Sequence, residues 1–124
     1  MIRMAVAAAV SLMITTAWAD DCTDAIARVH DAQDQERHWF AAEVKTVLGA
    51  DATSFDFNYF VECTKMLPIA RKRLTLVEGI IAKNDRAARV CKSDDGSTKV
   101  GGYPATEMRA ILKEYIAICG VEEE

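Results

Sequence analysis

The chain has 124 residues, of which 51% are hydrophobic, and its 19 acidic side chains outnumber its 15 lysines and arginines to give a formal net charge of −4. This length allows one small domain, and the hydrophobic fraction is sufficient for a buried core and is not typical of a disordered chain. The negative charge argues against a general nucleic-acid binder, which needs a positive face to neutralise phosphates.

The first nineteen residues have the pattern of a secretory signal peptide. A short positive start precedes the apolar run from Met4 to Ile14, and Ala17-Trp18-Ala19 places small residues at both key positions before a cleavage site. The run is shorter than the about 20 apolar residues that span a membrane. We therefore predict cleavage between Ala19 and Asp20, one soluble domain at residues 20–124 without a membrane span, and a periplasmic or secreted location.

Four cysteines, Cys22, Cys63, Cys91 and Cys119, follow the predicted cleavage site. An even number of cysteines in an exported chain predicts two structural disulfides. None of the four belongs to a Cys-x-x-Cys pair, the spacing that is typical of zinc, haem and redox sites. We therefore predict no cofactor at these cysteines.

Apolar periodicity predicts an all-α fold, a small up-down bundle of three to four helices linked by two disulfides. The first helix is predicted over Thr23 to Leu48, with Asp21 or Thr23 as its N-cap and Gly49 at its end.

A second helical phase runs from Phe60 to Cys91, with Ser54 as the predicted N-cap. Pro68 removes a backbone donor and predicts a kink or break, and Asn84-Asp85 is a second weak point. A break at either place would give the fourth helix.

The segment from Lys92 to Gly102 contains turn-forming residues and no apolar period, so we interpret it as a loop, without a β-hairpin signal. A third helix is predicted to begin near Pro104 and to end at Gly120. The last residues, Glu122 to Glu124, form an acidic tail.

Helix geometry restricts how the cysteines can pair. If Cys63 and Cys91 lie on one helix, the rise of about 1.5 Å per residue separates them by about 40 Å, far more than the ~6 Å of a disulfide. An up-down arrangement favours Cys22 with Cys91 and Cys63 with Cys119. The alternative is Cys22 with Cys63 and Cys91 with Cys119.

Two sets of residues are candidates for a protein-binding surface. Aromatic residues gather around the first inter-helix turn, where they either form the core beneath the turn or contact a partner. A basic run on the second helix is either a solvated face or a docking face for an acidic partner. The candidate residues are Trp39, Phe57, Tyr59, Arg71, Lys72 and Arg73.

A metal site is the competing hypothesis. His30, Asp34 and His38 have the i, i+4, i+8 spacing that aligns three side chains along one helix face, so they could hold a divalent metal. The alternative interpretation is a solvated polar face.

The motifs of common enzyme classes are absent from the sequence, so we predict a protein without catalytic activity. The leading hypothesis is an exported binding protein, such as an inhibitor, an immunity-type protein or an envelope assembly or stress factor, that acts by protein-protein contact and has no nucleic-acid partner. The alternative is a carrier of a small apolar ligand or a divalent metal.

Overall fold

The computed structural model describes residues 2–51, 54–92 and 98–123, and the described part is mostly helical. Three helices, α1 (Ile2–Leu48), α2 (Cys63–Cys91) and α3 (Ala105–Glu123), are joined by a segment over residues 54–62 and by two short strands, β1 (Lys99–Val100) and β2 (Tyr103–Pro104). Helix α2 packs against both α1 and α3. The predicted all-α class is confirmed.

Helix α1 passes through the predicted N-cap residues Asp21 and Thr23 without interruption, so neither residue caps it in the full chain. The reason is that the alanine-rich residues before them favour a helix and include no glycine or proline. The predicted end is correct, because Gly49 adopts a positive φ of 67° and its N–H bonds to the carbonyl of Lys45.

Helix α2 begins later than predicted, and Ser54 does not cap it. Its N-cap residue is Glu62, which has a left-handed backbone (φ 57°) and makes no side-chain capping bond. The Ser54 hydroxyl donates instead to the carbonyl of Asp51. Pro68 lies inside the helix without ending it, and its ring is exposed while its neighbours Leu67 and Ile69 are buried.

The segment that we interpreted as a loop contains a minimal antiparallel hairpin, in which Lys99 pairs with Pro104 and Val100 with Tyr103. Gly101 and Gly102 form its two-residue turn with φ values of 59° and 85°, a conformation that favours glycine. Thr98 donates to the Asn84 side chain of α2 at 2.6 Å, and this bond anchors the hairpin.

The two disulfides join the pairs that the helix geometry favours. Cys22 of α1 bonds to Cys91 at the end of α2, and Cys63 at the start of α2 bonds to Cys119 of α3. No cysteine in the described part is free.

The helices bury one main core and one small cluster. The main core includes Val44 of α1, Leu67 and Val77 of α2, and Leu112 and Tyr115 of α3. The small cluster, Ala25, Val29 and Ala87, lies between α1 and α2.

Candidate functional site

A groove of about 1020 Å³ lies between α1, α2, the 54–62 segment and the hairpin. Phe40, Phe55, Phe57 and Tyr103 supply aromatic lining. The turn glycines of the hairpin contribute another part of the wall. This groove brings together residues that are distant in the sequence.

A buried ion pair is part of the groove lining. Arg73 of α2 donates from Nε to Oε1 of Glu36 on α1 at 2.5 Å, and the two side chains are only 7% and 3% exposed. Burial raises the pKa of the Glu36 carboxyl, although the charge of Arg73 and its hydrogen bond act in the opposite direction. Burial likewise lowers the pKa of Arg73, and Glu36 opposes that shift. The Glu36–Arg73 pair therefore places two buried charged groups in the lining of the groove.

Aromatic rings hold the Arg73 guanidinium in place. Its central carbon lies 3.7 Å from the ring centre of Phe40 and 5.8 Å from that of Phe57. Such cation–π contacts gain strength when they are shielded from water. The guanidinium therefore has a fixed position between the aromatic lining and the hairpin.

Gly101 lies directly against this guanidinium. A Cβ atom at Gly101 would be 2.8 Å from Arg73 Nη2 and 3.1 Å from Met108 Cε, whereas a Cβ at Gly102 would have no neighbour within 4 Å. The absence of a side chain at Gly101 thus allows the hairpin to cover Arg73.

We expect Gly101→Ala to lower the free energy of unfolding by at least about 1 kcal/mol more than Gly102→Ala. Both changes place alanine at a positive φ, so they share the backbone strain. Only the change at Gly101 also displaces Arg73. Urea denaturation of the two variants measures the difference, and equal losses would contradict the contact.

Polar bonds fix the rim of the groove. The Tyr103 hydroxyl donates to Oδ2 of Asp56 at 3.2 Å and accepts from the Asn58 amide at 2.9 Å. Gln33 of α1 donates to the carbonyl of Lys99 at 2.9 Å. These bonds link the hairpin both to the 54–62 segment and to α1.

The predicted aromatic residues separate into different environments. Phe57 is buried, at 2% exposure, against Phe40 and Tyr115, so its place in an exposed binding surface was wrong. Trp39 is half-buried, and the ammonium of Lys72 lies 4.7 Å from its ring centre. Tyr59 is 68% exposed.

The basic run is also divided. Arg71 and Lys72 are exposed, as a binding face requires, but Arg73 points inward and is buried, so its assignment to the exposed face was wrong. The reason is helical phase, because position 73 continues the buried series of Met66, Ala70 and Val77.

The proposed metal ligands do not form a metal site. Asp34 pairs with Arg37 at 2.8 Å, and a ring nitrogen of His38, Nδ1, lies 2.8 Å from the carbonyl of Asp34, while His30 lines the groove. Within the described ranges, no group of three or more His, Cys, Asp or Glu side chains could hold a metal ion.

An exposed apolar patch lies outside the groove, next to the Cys63–Cys119 bond. It consists of Tyr59, Phe60 and Val61, which are 68%, 42% and 53% exposed. The buried Tyr115 of α3 fixes the patch because its hydroxyl donates to the carbonyl of Val61 at 2.7 Å. Near its end, α3 also exposes Ile118 and Val121.

Sequence reasoning missed Glu36, although a signal for it exists. Glu36 lies seven residues after Val29 and four before Phe40, both of which are buried. A charged residue in the phase of an apolar stripe needs a buried partner, and Arg73 has the same pattern on α2.

The described residues define a small all-α protein with two disulfides and a groove that contains a buried ion pair. No family model, no curated protein and no solved structure matches the chain. In the part of the chain that the structure covers, no helix has the length and apolar character needed to cross a membrane.

Proposed function

We propose that the protein is exported, is cleaved after Ala19, and acts without catalysis by binding another protein through the apolar patch. The observation that carries the proposal is the run of three consecutive exposed apolar residues, Tyr59, Phe60 and Val61. Exposure of such an apolar run to water is unfavourable in free energy, and a role in binding accounts for it. The partner is a protein with a complementary apolar surface.

The patch is well suited to binding because its shape is fixed in advance. The Tyr115 hydroxyl bond to Val61 and the Cys63–Cys119 disulfide both hold the chain directly after Phe60. A surface that is already ordered loses less conformational entropy when it binds.

The two disulfides are compatible with export, since such bonds persist in oxidising compartments.

We further propose the up-down arrangement of three helices. Each disulfide joins opposite ends of consecutive helices in the predicted mature chain, as antiparallel neighbours require. The result is a rigid support for the patch.

Native mass spectrometry of the protein, isolated gently from its own compartment, tests this function. We expect a chain that begins at Asp20 with both disulfides intact and that carries the additional mass of a protein partner. The double variant Tyr59→Ser/Val61→Ser should lose that mass and keep its stability, because both side chains are exposed.

The matched control is Lys113→Ser/Glu114→Ser, which changes two exposed residues of α3 outside the patch. This control should retain the partner. A bare monomer for the unmodified protein, or a patch variant that keeps its partner, would contradict the proposal.

A further inference from the structure

In the described part of the chain, the Arg73 guanidinium has donors without an acceptor. Within the described residues its one hydrogen bond runs from Nε to Glu36, which leaves the two Nη groups without an acceptor. No fully enclosed side-chain nitrogen or oxygen in this part of the chain lacks a hydrogen-bond partner. The Nη groups therefore reach the groove, which Arg73 lines.

A carboxylate is the ligand group that fits these donors. The two Nη groups of a guanidinium form a planar fork that matches the two oxygens of a carboxylate. Arg73 is only 6% exposed, so a charge-assisted bond there faces little competition from water. Lys99, which also lines the groove, adds a second positive charge.

Two carboxylates in the lining already have partners. Asp34 pairs with Arg37, and Asp56 accepts the Tyr103 hydroxyl and the backbone N–H of Asn58. These interactions reduce the repulsion that an incoming anion would meet.

Part of the groove lining is apolar. Phe55, Phe57, Val100 and Met108 line the same groove as the guanidinium. The groove volume of about 1020 Å³ is close to the upper end of the range of about 300–1,000 Å³ for small-molecule sites.

We infer that the groove binds a small carboxylic acid with an apolar body, with its carboxylate on the Nη groups of Arg73 and its body against the half-buried Phe55. The site shares no residue with the apolar patch, so it does not depend on the proposed protein-binding function. Glu36 holds the Nε side of the same guanidinium and competes with the ligand for its charge.

Calorimetric titration of the disulfide-bonded protein tests this site with three probes. We expect 3-phenylpropionate to bind saturably and at least tenfold more tightly than 3-phenylpropionamide, which has the same body without the charge. Acetate, which has the charge without the body, should also bind at least tenfold more weakly. Equal affinity of 3-phenylpropionate and either of the other two probes would overturn the inference, as would absence of saturable binding by 3-phenylpropionate.

Variants of the ion pair give the decisive comparison. Glu36→Gln removes the internal competitor, so we expect 3-phenylpropionate to bind about tenfold more tightly, within the usual range for coupled sites. Glu36→Gln/Arg73→Met removes the recognising group and should abolish binding. The control Lys72→Gln removes a neighbouring exposed charge that is not part of the lining and should leave the affinity within twofold.

The single Glu36→Gln variant decides the matter if the double variant does not fold. Binding that is unchanged or weaker in Glu36→Gln would contradict the role of Arg73 as the carboxylate receptor. Loss of the protein partner in the apolar patch variant would leave this titration unchanged, so the two proposals fail separately.

Discussion

Replacing Arg73 by methionine is expected to lower the free energy of unfolding by about 3–5 kcal/mol, because the Glu36 carboxylate then stays buried without its partner. Adding Glu36→Gln should recover most of that loss, because the double variant has no uncompensated charge to bury. Urea denaturation of the single and double variants measures both effects. A double variant as unstable as Arg73→Met would show that lost packing, and not the unpaired buried charge of Glu36, causes the loss of stability.

The same variant should also change the pH dependence of stability. Burial raises the folded pKa of Glu36 above its ordinary value of 4.5, and Arg73→Met removes the two effects of Arg73 that lower it. An acid with a raised folded pKa stabilises the fold below its unfolded pKa, and this contribution is lost as the pH rises through the folded pKa. The deficit of Arg73→Met should therefore grow as the pH rises above 4.5. A constant deficit above this pH would contradict the assignment to Glu36.

Removing the Cys63–Cys119 bond is the second change for which we expect a large effect. Replacing both cysteines by alanine should lower the free energy of unfolding by about 2–4 kcal/mol through the greater freedom of the unfolded chain. A further loss should follow from packing, because Cys119 is only 1% exposed within the main core.

The matched control for this experiment is Cys22→Ala/Cys91→Ala, which opens a loop of similar length next to the small cluster. It should lose about the same entropic contribution without the packing loss. Guanidinium denaturation under non-reducing conditions compares the two. The prediction is wrong if the Cys22–Cys91 bond proves to be the more costly one to remove.

The helical class and the cysteine pairing could be predicted because both depend on long-range periodicity. A stripe of apolar residues fixes which face of a helix is buried, and the helix rise fixes which cysteines are too far apart to meet. Both ends of α2 illustrate this, since Cys63 and Cys91 cannot meet and each pairs with another helix.

The start of α2 and the hairpin could not be predicted, because local contacts determine them. Glu62 caps α2 in a left-handed conformation that is rare outside glycine, and Ser54, the better capping residue by type, bonds elsewhere. The hairpin has strands of only two residues, too short for an alternating pattern, although the Gly101-Gly102 pair is a turn signal.

The groove was missed because its charged residues were considered in the wrong context. Arg73 was grouped with its two sequence neighbours as a basic run, although its helical phase puts it among buried side chains. Pairing across 37 positions with Glu36 depends on how α1 and α2 pack, which a single sequence does not specify.

The disulfide connectivity has a consequence for how the chain matures. The two bonds overlap along the sequence, because Cys63 lies between Cys22 and Cys91 while its partner Cys119 lies beyond both. A chain is synthesised from its N-terminus, so Cys63 is the first cysteine that Cys22 can meet. A Cys22–Cys63 bond is not one of the two bonds of the folded protein. Cys63 must therefore remain reduced, or be released by exchange, until α3 has emerged. A chain that stops before Cys119 retains an unpaired cysteine, which distinguishes an unfinished molecule from a complete one.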